Sequence, residues 1–441
     1  MKKSAVPVNV IRQYLPTLQT VWNWKASSRR LPRRSCSYAR TIAMSGSIPT
    51  GRGPYNVGCT DVMTGGLPNV GCFLRLYYPT SLKTANKQLE NVGIPWLPRR
   101  EYADTYIVAA KTKYMDDDFK VKVTREDKEK LMNCKVPVFW NGSVLPSNQK
   151  ASFPVVIYSH GLGSCRLQSS TVSIDLVSQG FVVAALEHRD NSAGATYFLR
   201  KSDDGTLSEE WLEFILSLPS KEEFPLRNSQ VKVRARESSR ALDLLENLNK
   251  GDHVENLLDQ TSNSLLKQFK GRLDVSRAVV MGHSFGGSTT VQSLFQDRRF
   301  RCGIGLDSWI FPIDVGAVTD KIQQPLLFIN DERFQWGGNI IRMNRLLIKN
   351  PPAERKLITI MGTDHDNQTD LPFILDYWKT EQRLDPAVAM AIQNDAAIAF
   401  ISKHTGLDYD KSAESILNGD HPHVIQGTNL KLKPKAPKSK M

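Results

Sequence analysis

No apolar run in this 441-residue chain approaches the ~20 residues a bilayer-spanning helix needs. No C-x-x-C pair occurs among Cys36, Cys59, Cys72, Cys134, Cys165 and Cys302. That scatter argues against a zinc site and a disulfide framework, and favours a reducing compartment. Residues 1–60 hold ten Lys/Arg and no acid, and residues 431–441 hold five Lys and no acid. The net charge of +13 therefore sits at the two ends, leaving 43 basic against 45 acidic residues between 61 and 430. A near-neutral middle argues against a nucleic-acid-binding body and confines electrostatic partners to the tails. Gly303-Ile-Gly305 lacks the third glycine of a dinucleotide site, and His188-Arg-Asp190 has no Gly-rich loop or D-F-G to make it a kinase loop. Asp116-Asp-Asp118 lacks the glycine and spacing of a calcium loop and reads as a solvated turn.

What is present fits a globular protein. Apolar residues make up 40% and charged residues 23% of the chain, enough for a large core. Residues 1–51 read as a basic extension. Within it, 1–43 is rich in Arg and Ser and acid-free, as a mitochondrial transit peptide is, but has no apolar core for a secretory signal. A disordered extension, or a start added upstream of Met44, explains the same residues. Met44-Ser45-Gly46 does not place glycine after the initiator, so neither start gives a myristoylation signal. Residues 431–441, alternating Lys with Pro and small residues, read as a disordered tail.

The residues between these two ends read as a body of alternating strands and helices. Short apolar strands are expected at Val155–Ser159, Phe181–Leu186, Ala278–Met281, Gly303–Leu306, Pro325–Asn330 and Lys356–Ile360. Helical spacing marks 167–179, 231–249, 286–296, 339–348 and 386–404, while 190–228 and 86–150 read as insertions, the former irregular. Alternation of this kind implies an α/β class with a mostly parallel sheet covered on both faces.

Gly282-His-Ser-Phe-Gly286 matches G-x-S-x-G. The pattern alone arises by chance about once in ten chains of this length. Here it joins an expected strand to an expected helix, as a nucleophile elbow must, with Gly282 and Gly286 where side chains would clash. Ser284 is the candidate nucleophile. Of eight His, His365 follows the last main strand, where a base belongs. His160, His188 and His283 sit at strand ends and suit structural hydrogen bonds. Asp307 and Asp331 both satisfy the order Ser, Asp, His, and spacing does not choose between them. The N–H of Phe285 should be one oxyanion donor. His160-Gly-Leu-Gly163 follows an early strand and offers the second at Leu162.

With these motifs in place, the sequence resembles the platelet-activating factor acetylhydrolases. The likeness runs through Ser159-His-Gly-Leu-Gly163, Glu187-His-Arg-Asp190, Gly282-His-Ser-Phe-Gly-Gly287, Leu306-Asp-Ser-Trp-Ile-Phe-Pro312 and Arg355-Lys-Leu-Ile-Thr-Ile360, in order over residues 52–430. The resemblance implies an α/β-hydrolase fold, the triad Ser284, Asp307 and His365, and Leu162 with Phe285 as oxyanion donors. It implies calcium-independent release of acetyl, short or oxidised acyl groups from the sn-2 position of phospholipids, with no cofactor or metal. The family signal peptide and N-terminal myristoylated glycine are absent, so compartment does not carry over. Asp364, an added charge beside His365, is expected to face solvent.

The partner so implied is phospholipid at a membrane or lipid-particle surface. Leu371, Phe373, Ile374, Tyr377 and Trp378 read as a docking helix at the mouth of the site, with a core-packed helix as the alternative; 102–114 reads as a second docking element. The location expected is cytoplasmic or peripheral at membranes, with mitochondria as the alternative. Rival functions are another serine esterase or thioesterase, and a catalytically dead hydrolase fold used for binding.

Overall fold

The computed structural model describes residues 47–82, 93–105, 125–259, 263–348, 353–375, 383–408 and 410–432. Its strands are β1 (Asn56–Met63), β2 (Phe73–Thr80), β3 (Ile94–Pro95), β4 (Lys135–Val136), β5 (Phe139–Trp140), β6 (Phe153–Ser159), β7 (Val182–Glu187), β8 (Thr196–Lys201), β9 (Leu207–Leu212), β10 (Leu273–His283), β11 (Cys302–Leu306), β12 (Leu326–Asp331), β13 (Arg355–Ile360) and β14 (Val424–Gln426). Ten of them form one sheet in the order β14-β13-β12-β11-β10-β6-β7-β2-β1-β5. The run from β13 to β7 is parallel throughout, and β2 and β14 flank it antiparallel.

The parallel strands read as unbroken apolar runs because both faces are covered. Along β6, Val156 and Tyr158 enter one core while Phe153, Val155 and Ile157 enter the other; along β10, Met281 and Val280 divide the same way. Helices Ser170–Ser178 and Pro386–Thr405 close the first face through Val172, Ile174, Ala397 and Phe400. Helices Ser220–Lys250, Phe285–Gln296 and Gly337–Ile348 close the second through Leu242, Leu245, Val291 and Ile340. Each such side chain contributes roughly 1.5–3 kcal/mol by leaving water. Among the described residues, no helix is long and apolar enough to cross a membrane.

Two readings of the insertions need correction. Residues 190–228 are not irregular: β8 and β9 pair as an antiparallel hairpin, and the helix that follows starts at Ser220 rather than 231. Pro225 lies inside that helix, where a proline ordinarily marks a break. Buried Arg227 ties these first turns to the segment before them, donating to the carbonyls of Ile215 and Leu216. Within 86–150, β5 joins the main sheet beside β1.

Candidate active site

The elbow is built by close approach. Ser284 stands between β10 and helix Phe285–Gln296 at φ 57 and ψ −115, a left-handed backbone rare for a residue with Cβ. A Cβ on Gly286 would lie 2.0 Å from the carbonyl oxygen of Ser159, and one on Gly282 would lie 2.4 Å from that of Gly286. The turn is pinned by the N–H of Ser284 donating to Leu306 O at 2.9 Å and that of Trp309 to Ser284 O at 2.9 Å.

Asp307 follows β11 directly and also has positive φ, 38°. Its N–H donates to Ile329 O at 2.8 Å. Asp307 Oδ2 lies 2.6 Å from Nδ1 of His365, which opens a 3-10 turn (His365–Gln368) after β13. The imidazole is buried, stacks on Phe334 with centroids 3.6 Å apart, and lies 4.5 Å from the His283 ring next to Ser284. His283 Nε2 in turn contacts the carbonyl oxygen of His365 at 2.9 Å. Ser284 and Asp307 thus follow the carboxyl ends of β10 and β11, and His365 follows β13, along the edge where open parallel sheets place their sites, with Asp307 and His365 in contact.

Asp331, the other acid open to the sequence, ends β12 with its N–H donating to Asp307 Oδ1 at 3.1 Å. Its own carboxyl faces Gln368 at 3.3 Å, and burial pushes its pKa well up. Asp364 does not face solvent as expected. Its side chain is 15% exposed, sits 2.5 Å from Arg383, and caps the turn carrying His365. Burial pushes this carboxyl up to about 6.

The loop after β6 runs beside the nucleophile, and a Cβ on Gly161 would lie 3.2 Å from that of Ser284. Leu162 is half-buried here, and Gly163 N–H donates to Ser192 O at 2.8 Å. Phe285 opens the helix after the elbow, so its N–H has no intrahelical acceptor. His160 accepts the His188 N–H at Nε2 (3.2 Å), leaving Nδ1–H to donate to Gly161 O at 2.7 Å. Burial drives the pKa of His160 and His188 well down, so both rings are neutral. Ser159, His188 and Glu237 are linked at 2.7 and 2.6 Å like a second triad. All three are at most 1% exposed, and no substrate reaches them.

Sequence reasoning missed Arg234. It lies on the inward stripe of its helix with Val231, Ser238 and Leu242, and that spacing was the available signal. Phe334, stacked on His365, carried no sequence signal beyond its place just past β12. The docking expectation changes in part. Phe373 and Ile374 are buried in the core, 7% and 2% exposed, and Leu371 packs against it, so this stretch follows the core-packed alternative. Tyr377 and Trp378 lie outside the described residues, as does most of 102–114.

Residues 41–424 match the family model described as platelet-activating factor acetylhydrolase, isoform II. The chain is 39% identical over 409 residues to a platelet-activating factor acetylhydrolase of Gallus gallus, covering 88% of this chain and 90% of that one. It is 40% identical over 396 residues to that of Bos taurus, covering 87% and 83%. Among solved structures, a ferulic acid esterase from Streptomyces cinnamoneus superposes with a TM-score of 0.56 at 19% identity over 87% of this chain and 99% of that one, a likeness of fold.

Proposed function

The chain belongs to the platelet-activating factor acetylhydrolase family, and we propose that Ser284, Asp307 and His365 carry its ester hydrolysis, with Leu162 and Phe285 binding the oxyanion. The protein is a carboxylic ester hydrolase of the 1-alkyl-2-acetylglycerophosphocholine esterase type. The observation that carries the residue assignment is the 2.6 Å contact of His365 Nδ1 with Asp307 Oδ2 beside a serine held in a glycine-cramped elbow.

In this reading Asp307 fixes the imidazole with Nδ1–H toward the carboxylate, so Nε2 takes the Ser284 proton as Oγ attacks the sn-2 carbonyl. The charge that develops on the carbonyl oxygen meets two fixed backbone N–H groups, which need no reorganisation. The tetrahedral intermediate breaks its bond to the glycerol oxygen, which receives the proton from His365 and leaves as lysophospholipid. Water then gives a proton to His365 and its oxygen to the acyl carbon, the bond from that carbon to Ser284 Oγ breaks, Oγ takes the proton from His365, and the short acid departs. No step calls on a cofactor.

The test is hydrolysis of an sn-2 acetyl phospholipid against a long-chain one with calcium chelated, in wild type and Ser284→Ala. Loss of acetyl release and of fluorophosphonate labelling in a folded Ser284→Ala protein supports the assignment; retained release overturns it. The substrate partner in this reading is drawn from a membrane or lipid-particle surface, with the protein cytoplasmic and peripheral. Mitochondrial delivery by residues 1–43 is the alternative. Fluorescent fusions of the full chain and of the chain from Met44 separate the two, since only the former would be imported.

A further inference from the structure

We propose that Arg234 is a positioning residue that aims the oxyanion donors, tying the Leu162 peptide to Phe285 across the site. The inference rests on the reading above that those two N–H groups form the oxyanion hole.

Arg234 is fully buried in the helix beneath the sheet edge. Its Nη1 donates to His160 O at 2.6 Å, and Nη2 reaches Gly161 O at 3.5 Å. The guanidinium carbon stands 4.3 Å from the centroid of the Phe285 ring. One planar cation therefore touches both halves of the proposed hole. Its own orientation is fixed from behind by Asp190 Oδ2 at 3.1 Å and by Ser192 Oγ, which accepts from Nε at 2.9 Å and from Nη2 at 2.6 Å. Burial pulls the Arg234 pKa down while Asp190 and Glu237 pull it up, and a guanidinium this basic stays charged.

The contact at Gly161 O matters because of peptide geometry. The carbonyl of Gly161 and the N–H of Leu162 belong to one planar trans unit and point in opposite directions. Pinning that oxygen with Arg234 and with His160 Nδ1 at 2.7 Å turns the N–H of Leu162 the other way. A Cβ at Gly161 would lie 3.2 Å from the Cβ of Ser284, so this peptide lies against the nucleophile. Donation to a carbonyl also polarises its peptide and strengthens the N–H on the far side. On the other half, a cation over the ring face restrains Phe285 at the start of its helix. A buried arginine serving only the fold would require none of this alignment with one particular peptide.

The experiment compares wild type with Arg234→Lys and Ser192→Ala. Lysine keeps the charge and loses the planar fork; Ser192→Ala leaves Arg234 present but removes one of the two groups that hold its head from behind. Readouts are kcat and KM for a soluble sn-2 acetyl substrate, affinity for a trifluoromethyl ketone that forms an oxyanion on Ser284, affinity for its methyl ketone counterpart, and the unfolding midpoint. Weakening one oxyanion donor is worth about 10²-fold or more in kcat. Arg234→Lys should lose kcat on that order with KM nearly unchanged, losing the trifluoromethyl ketone preference in proportion. Ser192→Ala should show the same pattern at smaller amplitude. Folded variants with wild-type kcat overturn the proposal, as does an equal loss of affinity for both ketones. If Arg234→Lys fails to fold, Ser192→Ala alone decides between these outcomes. A wild type with no preference for the trifluoromethyl ketone overturns the oxyanion reading itself, whereas a preference kept in the variants overturns the role of Arg234 alone.

Discussion

The peptide N–H of Asp331 donates to Oδ1 of Asp307 at 3.1 Å, while Oδ2 of the same carboxylate holds His365 at 2.6 Å. The two acids that sequence order leaves equal are thus unequal in role: one orients the imidazole, and the other contributes its backbone. Asp307→Asn should lower kcat by about 10⁴-fold by favouring the wrong imidazole tautomer. Burial pushes the Asp331 carboxyl well up, and Asn nearly copies its shape. Asp331→Asn should cost less than about tenfold, since the N–H it donates remains. Steady-state kinetics on the two variants checks the contrast, and the reverse ranking would make Asp331 the acid.

The elbow makes opposite predictions for its two residue types. Gly286→Ala would press a methyl against Ser159 O at 2.0 Å, backbone that cannot step aside, and should destabilise by about 3 kcal/mol or more. Ser284→Gly should do the reverse. Relief of the left-handed backbone at 284 is worth about 1 kcal/mol, so this inactive protein should unfold at or above the wild-type midpoint in urea.

Asp370 ties the segment after His365 to helix Ser170–Ser178. Oδ1 accepts from Thr171 N–H at 2.8 Å; Oδ2 accepts from Ser170 N–H at 2.8 Å and from Trp96 Nε1–H at 2.9 Å. An amide nitrogen in place of either oxygen sets donor against donor. Asp370→Asn, though isosteric, should cost about 1–3 kcal/mol, read as a lower midpoint of denaturant unfolding.

Stability should fall as pH rises from about 4 to 6. Burial raises the carboxyls of Asp364 and Asp370 to about 6 each, above the unfolded value near 3.9. Between those values the folded chain binds more protons than the unfolded one, so folding weakens with rising pH by up to about 1.4 kcal/mol per unit and group. Asp364→Asn should remove one share of this slope. Urea unfolding at several pH values measures it, and a flat profile across the window in wild type would contradict it.

The parallel half of the molecule was legible because its strands are buried on both sides. Val155–Ser159 and Ala278–Met281 announce themselves as short apolar runs, and the elbow follows from its place between one of them and a helix. The antiparallel members escaped notice. β9 carries Ser208, Glu209 and Glu210 outward, half or fully exposed, and offers no apolar alternation. β14 is only three residues long. Pro225 hid the start of the longest helix, and a charge at 234 reads as an interruption of an apolar stripe until its partners are seen. The docking segment stayed open between two readings for a related reason. Phe373 and Ile374 are apolar beside a site, and composition does not say whether such residues face outward or into the core beneath it.

The last strand has a consequence for how this enzyme comes into being. β14 caps the edge of β13 through Ile358–Gln426 and Ile360–Val424. Beyond it, Thr428 Oγ1 donates to Gln335 and Asn429 Nδ2 to Glu332 O, bracing the loop that lays Phe334 over His365. The nucleophile lies 145 residues before Asn429, yet the loop that lays Phe334 over His365 gains this brace only once Asn429 has arrived. Synthesis runs from the N-terminus at roughly 5–20 residues per second, so the elbow residues are made several seconds before the residues that brace the loop over His365. A premature stop between residues 366 and 424 leaves a polypeptide with Ser284, Asp307 and His365 but without the strand and brace that follow them.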